Sequence, residues 1–139
     1  RAHIDASLRL WRELGDREGM AMPLHNLGHV VLRLGDADRA GALFEESLAL
    51  FQALDVPVGV ALCLAGLAGV AGAQGDAGRG AKLLGAAAAA LDAIGAHLQA
   101  ADLTDYEHSE AVLRAALGEA AFAAAFATGR TLPPDEALA

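Results

Sequence analysis

Residues 6–39 recur in altered form about 40 positions further along the chain. The two copies share leucines and small residues, and the junction Gly35-Asp36-Ala37 returns as Gly75-Asp76-Ala77. A unit of this length that contains two helical patterns is typical of an α-solenoid, in which each helix pair packs against the next. Solenoids bind partners along a surface and seldom catalyse, so the repeat predicts an architecture more sharply than a chemistry.

Composition favours a fold built from helices alone. Hydrophobic residues make up 55% of the chain and aromatic residues only 4%, with alanine the largest contributor. Alanine has the highest helix propensity and is depleted in strands, and no stretch alternates cleanly between apolar and polar residues. We therefore predict an all-α fold, a right-handed α-solenoid of helix pairs closed by C-terminal capping helices.

Recurring Gly-Asp pairs divide the chain into helices. Glycine ends a helix readily in the left-handed conformation, and the Asp side chain caps the next helix by accepting from its backbone N–H groups. These pairs and Pro57 predict helices at about 2–14, 17–34, 37–54, 57–74 and 77–94, followed by a helix at 99–117 and a short one with Phe122 and Phe126. We divide the chain into helical repeats at 1–98 and capping helices at 99–139.

The apolar positions of these helices predict one core along the repeats. Its members recur at helical spacing: Leu8, Trp11, Leu24, Leu27, Leu43, Phe44, Leu48, Phe51, Leu64, Leu67, Leu83 and Leu84. Gly66, Gly69 and Gly72 lie inside one helix, where each costs roughly 1 kcal/mol relative to alanine. We expect the close approach of a neighbouring helix to explain them.

Charge and cysteine content exclude several classes of function. The net charge is −8 and the ten Lys and Arg residues are spread along the chain, so we expect no nucleic-acid contact by this segment. The longest apolar run is about half a membrane span, which argues against a membrane protein. Cys63 lies in an apolar helical run, as a core residue of a cytoplasmic protein would. We predict no catalytic site, no cofactor and no enzyme.

His25 and His29 are four residues apart on one helix, which is a metal-ligand spacing. Asn26 stands where the metalloprotease motif requires Glu, and no nearby Cys or carboxylate completes a ligand set. The pair therefore indicates a polar helix face in a groove rather than a metal site.

Several short patterns resemble the tetratricopeptide repeat: Leu27-Gly28, then Gly35-Asp36, then Ala40 and Phe44. The second copy departs from the pattern at Ala68, Gly80 and Leu84. The whole chain is similar to the C-terminal region of bacterial LuxR-type regulators and signal-transduction ATPases, through His25-Asn26-Leu27-Gly28, residues 43–48, Leu83-Leu84-Gly85-Ala86, Leu117-Gly118-Glu119, Phe122, Phe126 and Gly129-Arg130. In that family the ATPase and DNA-binding parts lie elsewhere, and the start without Met and the helix-like ending after Pro133 fit a fragment of such a protein.

The resemblance also implies a binding face, because the first helix of each tetratricopeptide pair lines the concave side. It places eight residues there: Met22, His25, His29, Leu32, Arg33, Leu62, Ala65 and Gly69. These positions either meet a partner or pack on the C-terminal helices. Two functions remain open, a protein-interaction or signal-sensing arm with an open groove, and a small-molecule effector domain with a covered groove. With ordinary histidine pKa values, an acidic partner would bind more tightly below about pH 6.5.

Overall fold

The computed structural model describes residues 17–139, with side chains from Gly19 onward. This part of the chain is all-α and contains no strand, and its architecture is that of a tetratricopeptide-like solenoid. Its seven helices are α1 (Arg17–Arg33), α2 (Ala37–Ala53), α3 (Pro57–Ala73), α4 (Ala77–Ile94), α5 (Ala100–Leu117), α6 (Glu119–Arg130) and α7 (Pro134–Leu138). The predicted helix at 2–14 lies outside the described residues.

The two Gly-Asp junctions within the described residues have the geometry that the sequence predicts, and the one at Gly15-Asp16 lies outside them. Gly35 and Gly75 adopt φ of +89° and +83°, and the side chains of Asp36 and Asp76 cap the helices that follow. Oδ1 of Asp36 accepts from the backbone N–H of Arg39 at 3.2 Å. These caps satisfy backbone donors that have no partner inside the helix, so local sequence defines where α1 ends and where α2 and α4 begin.

The helices pack mainly against their neighbours in the chain. α1 pairs with α2 and α3 pairs with α4, while α2 joins the two pairs by packing on α3. The first helices of the pairs, α1 and α3, also touch each other. The C-terminal helices then cover the second pair, since α5 packs on α3 and α4, and both α6 and α7 pack on α4.

The predicted core is largely confirmed. Nine of its members are buried: Leu24, Leu43, Phe44, Leu48, Phe51, Leu64, Leu67, Leu83 and Leu84. The prediction is wrong for Leu27, which is only partly buried at the edge of this cluster. Leu8 and Trp11 lie outside the described residues.

Phe44 explains why two helices carry glycine at their centres. Its ring is fully buried between α1 and α3, and a Cβ on Gly28 would lie 2.8 Å from Cε1 of Phe44. A Cβ on Gly66 would lie 2.5 Å from the same atom. Both distances are too short for real contacts, so close packing against the ring requires glycine at these positions.

Candidate functional site

A groove lies between α1, α3 and α5, with a volume of about 650 Å³. α1 contributes His29, Leu32 and Arg33, and α3 contributes Gly69, Gly72 and Ala73. α5 forms the third wall with Thr104, Asp105, His108, Ser109, Val112 and Leu113. The groove is large enough for a drug-sized molecule or several side chains of a partner.

α5 lies close against α3 because α3 has glycine where the two helices meet. A Cβ on Gly69 would lie 2.8 Å from Oγ of Ser109, and a Cβ on Gly72 would lie 3.2 Å from Cδ2 of Leu113. Leu113 is fully buried in this contact. The expected close helix approach is therefore confirmed at these two glycines, and it is what brings α5 into the groove.

On the opposite wall, α1 meets α5 through polar side chains. Nη1 of Arg33 donates to Oδ1 of Asp105 at 3.1 Å, although 62% of the Arg33 side chain remains exposed. Nδ1 of His29 lies 3.7 Å from Oδ2 of Asp105, which is too far for a hydrogen bond. α5 is thus held to α1 by one exposed ion pair, which contributes at most about 1 kcal/mol.

His25 and His29 form an aromatic cluster with Phe44. The two imidazole centroids are 4.7 Å apart in an edge-to-face arrangement, and the His29 ring lies 4.8 Å from the Phe44 ring. Such pairs stabilise the packing without requiring either imidazole to be charged. The histidines of the polar face that the sequence predicts therefore pack against the buried ring of Phe44.

His25 is the most deeply buried of these polar groups, with 1% of its surface exposed. Its Nδ1 lies 3.4 Å from Oδ1 of Asn26, while its Nε2 has no hydrogen-bond partner in residues 17–139. The ring lines a second, smaller cavity of about 10 Å³, which we call the His25 cavity. Leu62, Asp102, Asp105 and Tyr106 are among the other residues that line it. A buried acceptor or donor without a partner is costly, so a water molecule or a ligand group that pairs with Nε2 would be stabilised here.

Burial lowers the pKa of both histidines. For His25, loss of solvent outweighs the Asn26 contact and the charges of Asp102 and Asp105, which favour the charged ring. For His29, burial and then the neighbouring His25 lower the pKa to about 4, against the opposing effect of Asp105. The assumption of ordinary histidine pKa values is therefore wrong, and neither ring acquires its charge near pH 6.5.

The eight residues predicted for the concave face fall into three groups. His29, Leu32, Arg33 and Gly69 line the groove. His25, Leu62 and Ala65 line the His25 cavity, together with His29, and both His25 and Leu62 are buried. Met22 is exposed and lines neither cavity.

Sequence reasoning missed the wall that α5 provides. Asp105, Ser109 and Leu113 recur every four residues and so lie on one helix face. That spacing was available as a signal, but nothing in the repeat indicates which surface this face covers, because α5 follows the repeats.

Metal and thiol chemistry find little support in the described residues. Within residues 17–139, no group of three or more His, Cys, Asp or Glu side chains is arranged to hold a metal ion. Cys63 is buried, its thiol donates to Oγ of Ser47 at 3.3 Å, and burial raises its pKa to about 11. A thiol held neutral in this way is a poor nucleophile and packs as a core residue.

Comparison with known proteins identifies the repeat class. Residues 1–53 match the family model described as Tetratricopeptide repeat, which supports a tetratricopeptide-repeat region in this part of the chain. Repeats of this class generally mediate protein–protein interaction and are not catalytic. No curated protein and no solved structure matches the chain. Of the helices described, none has both the length and the apolar character needed to span a membrane.

Proposed function

We propose that this chain is a non-catalytic protein-interaction or signal-sensing arm of a bacterial transcriptional regulator. The observation that carries the proposal is the groove, in which the first helices of two adjacent repeats present side chains to a common space. The resemblance to LuxR-type regulators and signal-transduction ATPases supports the parent class. In this view residues 1–98 form the repeats, residues 99–139 cap them, and the parent protein is cytoplasmic.

The partner is a protein or peptide, including other domains of the parent chain. Arg33 and Val112 are exposed at the groove, which therefore offers both a cation and an apolar contact. A partner helix that inserts apolar side chains at one-turn spacing would use such a surface. The spread of cations over the chain favours neither nucleic acid nor a membrane as the partner.

A groove-filling substitution tests the proposal. Val112→Trp places a large side chain in the groove from an exposed position, so we expect the chain to fold and its affinity for the parent's other domains to fall at least about tenfold. Leu103→Trp is the matched control, because Leu103 is an exposed α5 residue that lines neither cavity. Equal affinities for the two variants would show that the partner binds elsewhere.

The upstream coding sequence tests the parent class independently. A nucleotide-binding domain or a helix-turn-helix encoded there would support a regulator. A secretion signal there would contradict the cytoplasmic regulator.

A second candidate function is the binding of a small-molecule effector in the groove. The specific observation that favours it is α5, which covers the concave side and leaves about 650 Å³ between itself, α1 and α3. That volume lies within the usual range of small-molecule sites, roughly 300–1,000 Å³. An effector should raise the unfolding midpoint of the isolated chain, with a stabilisation that grows with the logarithm of the effector concentration once this exceeds Kd.

A further inference from the structure

Two of the described residues line both the groove and the His25 cavity. His29 and Asp105 line both spaces, so their side chains form the partition between them. The 3.7 Å between Nδ1 of His29 and Oδ2 of Asp105 exceeds hydrogen-bonding distance. The two atoms are nonetheless near van der Waals contact, so a ligand in the groove reaches the ring of His25 only when these side chains move apart, a movement that breaks no hydrogen bond between them.

The contacts of His25 determine what its unpartnered nitrogen requires. We assign the proton of the neutral imidazole to Nδ1, because the amide oxygen assigned to Asn26 faces this atom at 3.4 Å and can only accept. Nε2 is then a lone-pair acceptor without a donor in the described chain. The backbone of Leu62 lies near enough to favour a charged ring but does not satisfy Nε2. The cavity thus presents acceptors, and none of the described donors, the Tyr106 hydroxyl among them, is paired with Nε2 of His25.

Negative charge surrounds the same cavity. Asp102 and Asp105 line it, and no Lys or Arg among residues 17–139 does. His25 and His29 add no positive charge near neutral pH because burial disfavours their charged forms. Arg33 reaches Asp105 from the groove side and is largely exposed. A cationic donor is the group that complements these acceptors.

We propose that the groove binds a primary amine with an apolar body, whose ammonium group occupies the His25 cavity and donates to Nε2 of His25 and to the carboxylates of Asp102 and Asp105. About 10 Å³ accommodates a group the size of one water molecule, and an ammonium group is of that size. The apolar body lies in the groove against Leu32, Val112 and Leu113. This inference rests on the second candidate function, the binding of a small molecule.

The test compares three probes that share one alkyl chain. n-Hexylamine, n-hexanol and hexanoate are titrated into the chain in an amine-free buffer, by calorimetry and by NMR of the imidazole nitrogens. We expect hexylamine to bind at least about tenfold more tightly than either control, because one charge-assisted hydrogen bond is enough to produce a difference of that size in Kd. We also expect hexylamine alone to shift the Nε2 resonance of His25.

The outcomes separate this inference from the function on which it rests. If hexanol or hexanoate binds as tightly as hexylamine, the amine class is wrong while the groove remains a small-molecule site. If none of the three probes perturbs the groove, the amine inference is wrong and the small-molecule function loses its support as well.

Charge variants on the groove test the proposed contacts. Asp105→Asn keeps the shape of the side chain, and we expect it to weaken hexylamine binding about tenfold without changing hexanol binding. Glu107→Gln, at an exposed α5 position outside both cavities, is the matched control. Arg33→Gln should bind hexylamine at least as tightly as the unmodified chain, because Arg33 competes for Asp105.

Two results would overturn the assignment. The first is a folded Asp105→Asn chain that binds hexylamine as the unmodified chain does. The second is a loss of hexylamine binding in Arg33→Gln, and this result remains decisive even where Asp105→Asn does not fold.

Discussion

The two walls of the groove that come from the repeat, α1 and α3, are helices of 17 residues each that carry different side chains at equivalent positions. The shift of about 40 residues places His25 on Ala65, His29 on Gly69 and Arg33 on Ala73. α1 thus presents large polar side chains where α3 presents small ones.

The difference decides where α5 lies. Against α3 it packs directly, with Ser109 and Leu113 in the space that glycine leaves free. Against α1 it is held off by two imidazoles and an arginine, so the groove and the His25 cavity remain on that side. A degenerate repeat can therefore create a binding site simply by varying side-chain size at equivalent positions.

The largest expected effect lies on the α3 side. Leu113→Ala should lower the free energy of unfolding by about 2–5 kcal/mol, because Leu113 is fully buried against Gly72 and Gly80. Denaturant melts measure the loss, with Val112→Ala as the control at a site that is 41% exposed. Similar losses for both variants would contradict tight packing of α5 on α3.

The α1 side should respond to acid. The pKa of His29 is about 4 in the folded chain, and the ordinary value of 6.5 applies to the unfolded chain. Between pH 4 and pH 6.5 the unfolded chain therefore binds more protons than the folded chain. Stability from this group is complete above about pH 6.5 and falls by about 3 kcal/mol as the pH approaches 4. His25 contributes in the same direction.

A histidine variant isolates this effect from other acid-sensitive groups. The free energy of unfolding is measured from about pH 7.5 to about pH 4.5 for the unmodified chain, His29→Gln and His108→Gln. We expect His29→Gln to flatten the curve and His108→Gln, at an exposed position, to leave it unchanged. A curve that His29→Gln leaves equally steep would show that His29 is charged or solvated in the folded chain.

A smaller effect is expected from exchanging one small residue on α3. In Gly69→Ala the new Cβ overlaps Oγ of Ser109 and crowds Leu32, which should cost about 1–3 kcal/mol before a helix-propensity gain of up to about 1 kcal/mol. Gly78→Ala is the matched control, since nothing lies within 4 Å of its Cβ and only the gain applies. Thermal or denaturant melts compare the stabilities of the two variants. If both variants are more stable than the unmodified chain, glycine at position 69 is not required for the packing of α5 on α3.

The smallest effect is expected at the ion pair. Arg33→Gln removes the contact with Asp105, but the arginine is largely solvated, so the loss should stay below about 1 kcal/mol and shrink further at high salt. Melts at low and high ionic strength measure it. A loss as large as that of Leu113→Ala would show that α1 holds α5 as firmly as α3 does.

Much of the fold could be predicted from the sequence because the contacts that begin and end its helices form between residues close together in the chain. Gly35 and Asp36 end one helix and cap the next through contacts within a few residues, and Gly75 and Asp76 repeat the arrangement. Helical periodicity identified most of the core. The prediction failed for Leu27 because periodicity gives the side of a helix on which a residue lies, but not how completely a neighbouring helix covers it.

What only the tertiary structure decided is the environment of the predicted polar face. The sequence by itself determined that His25, His29 and Arg33 share one side of α1. It did not determine that Asp105, from a helix some 70 residues later, would face them. Burial beneath α5 removes water from the imidazoles, lowers their pKa values and leaves Nε2 of His25 without a partner. Such desolvation depends on which distant residues cover a group, and this property belongs to the folded chain rather than to any local pattern.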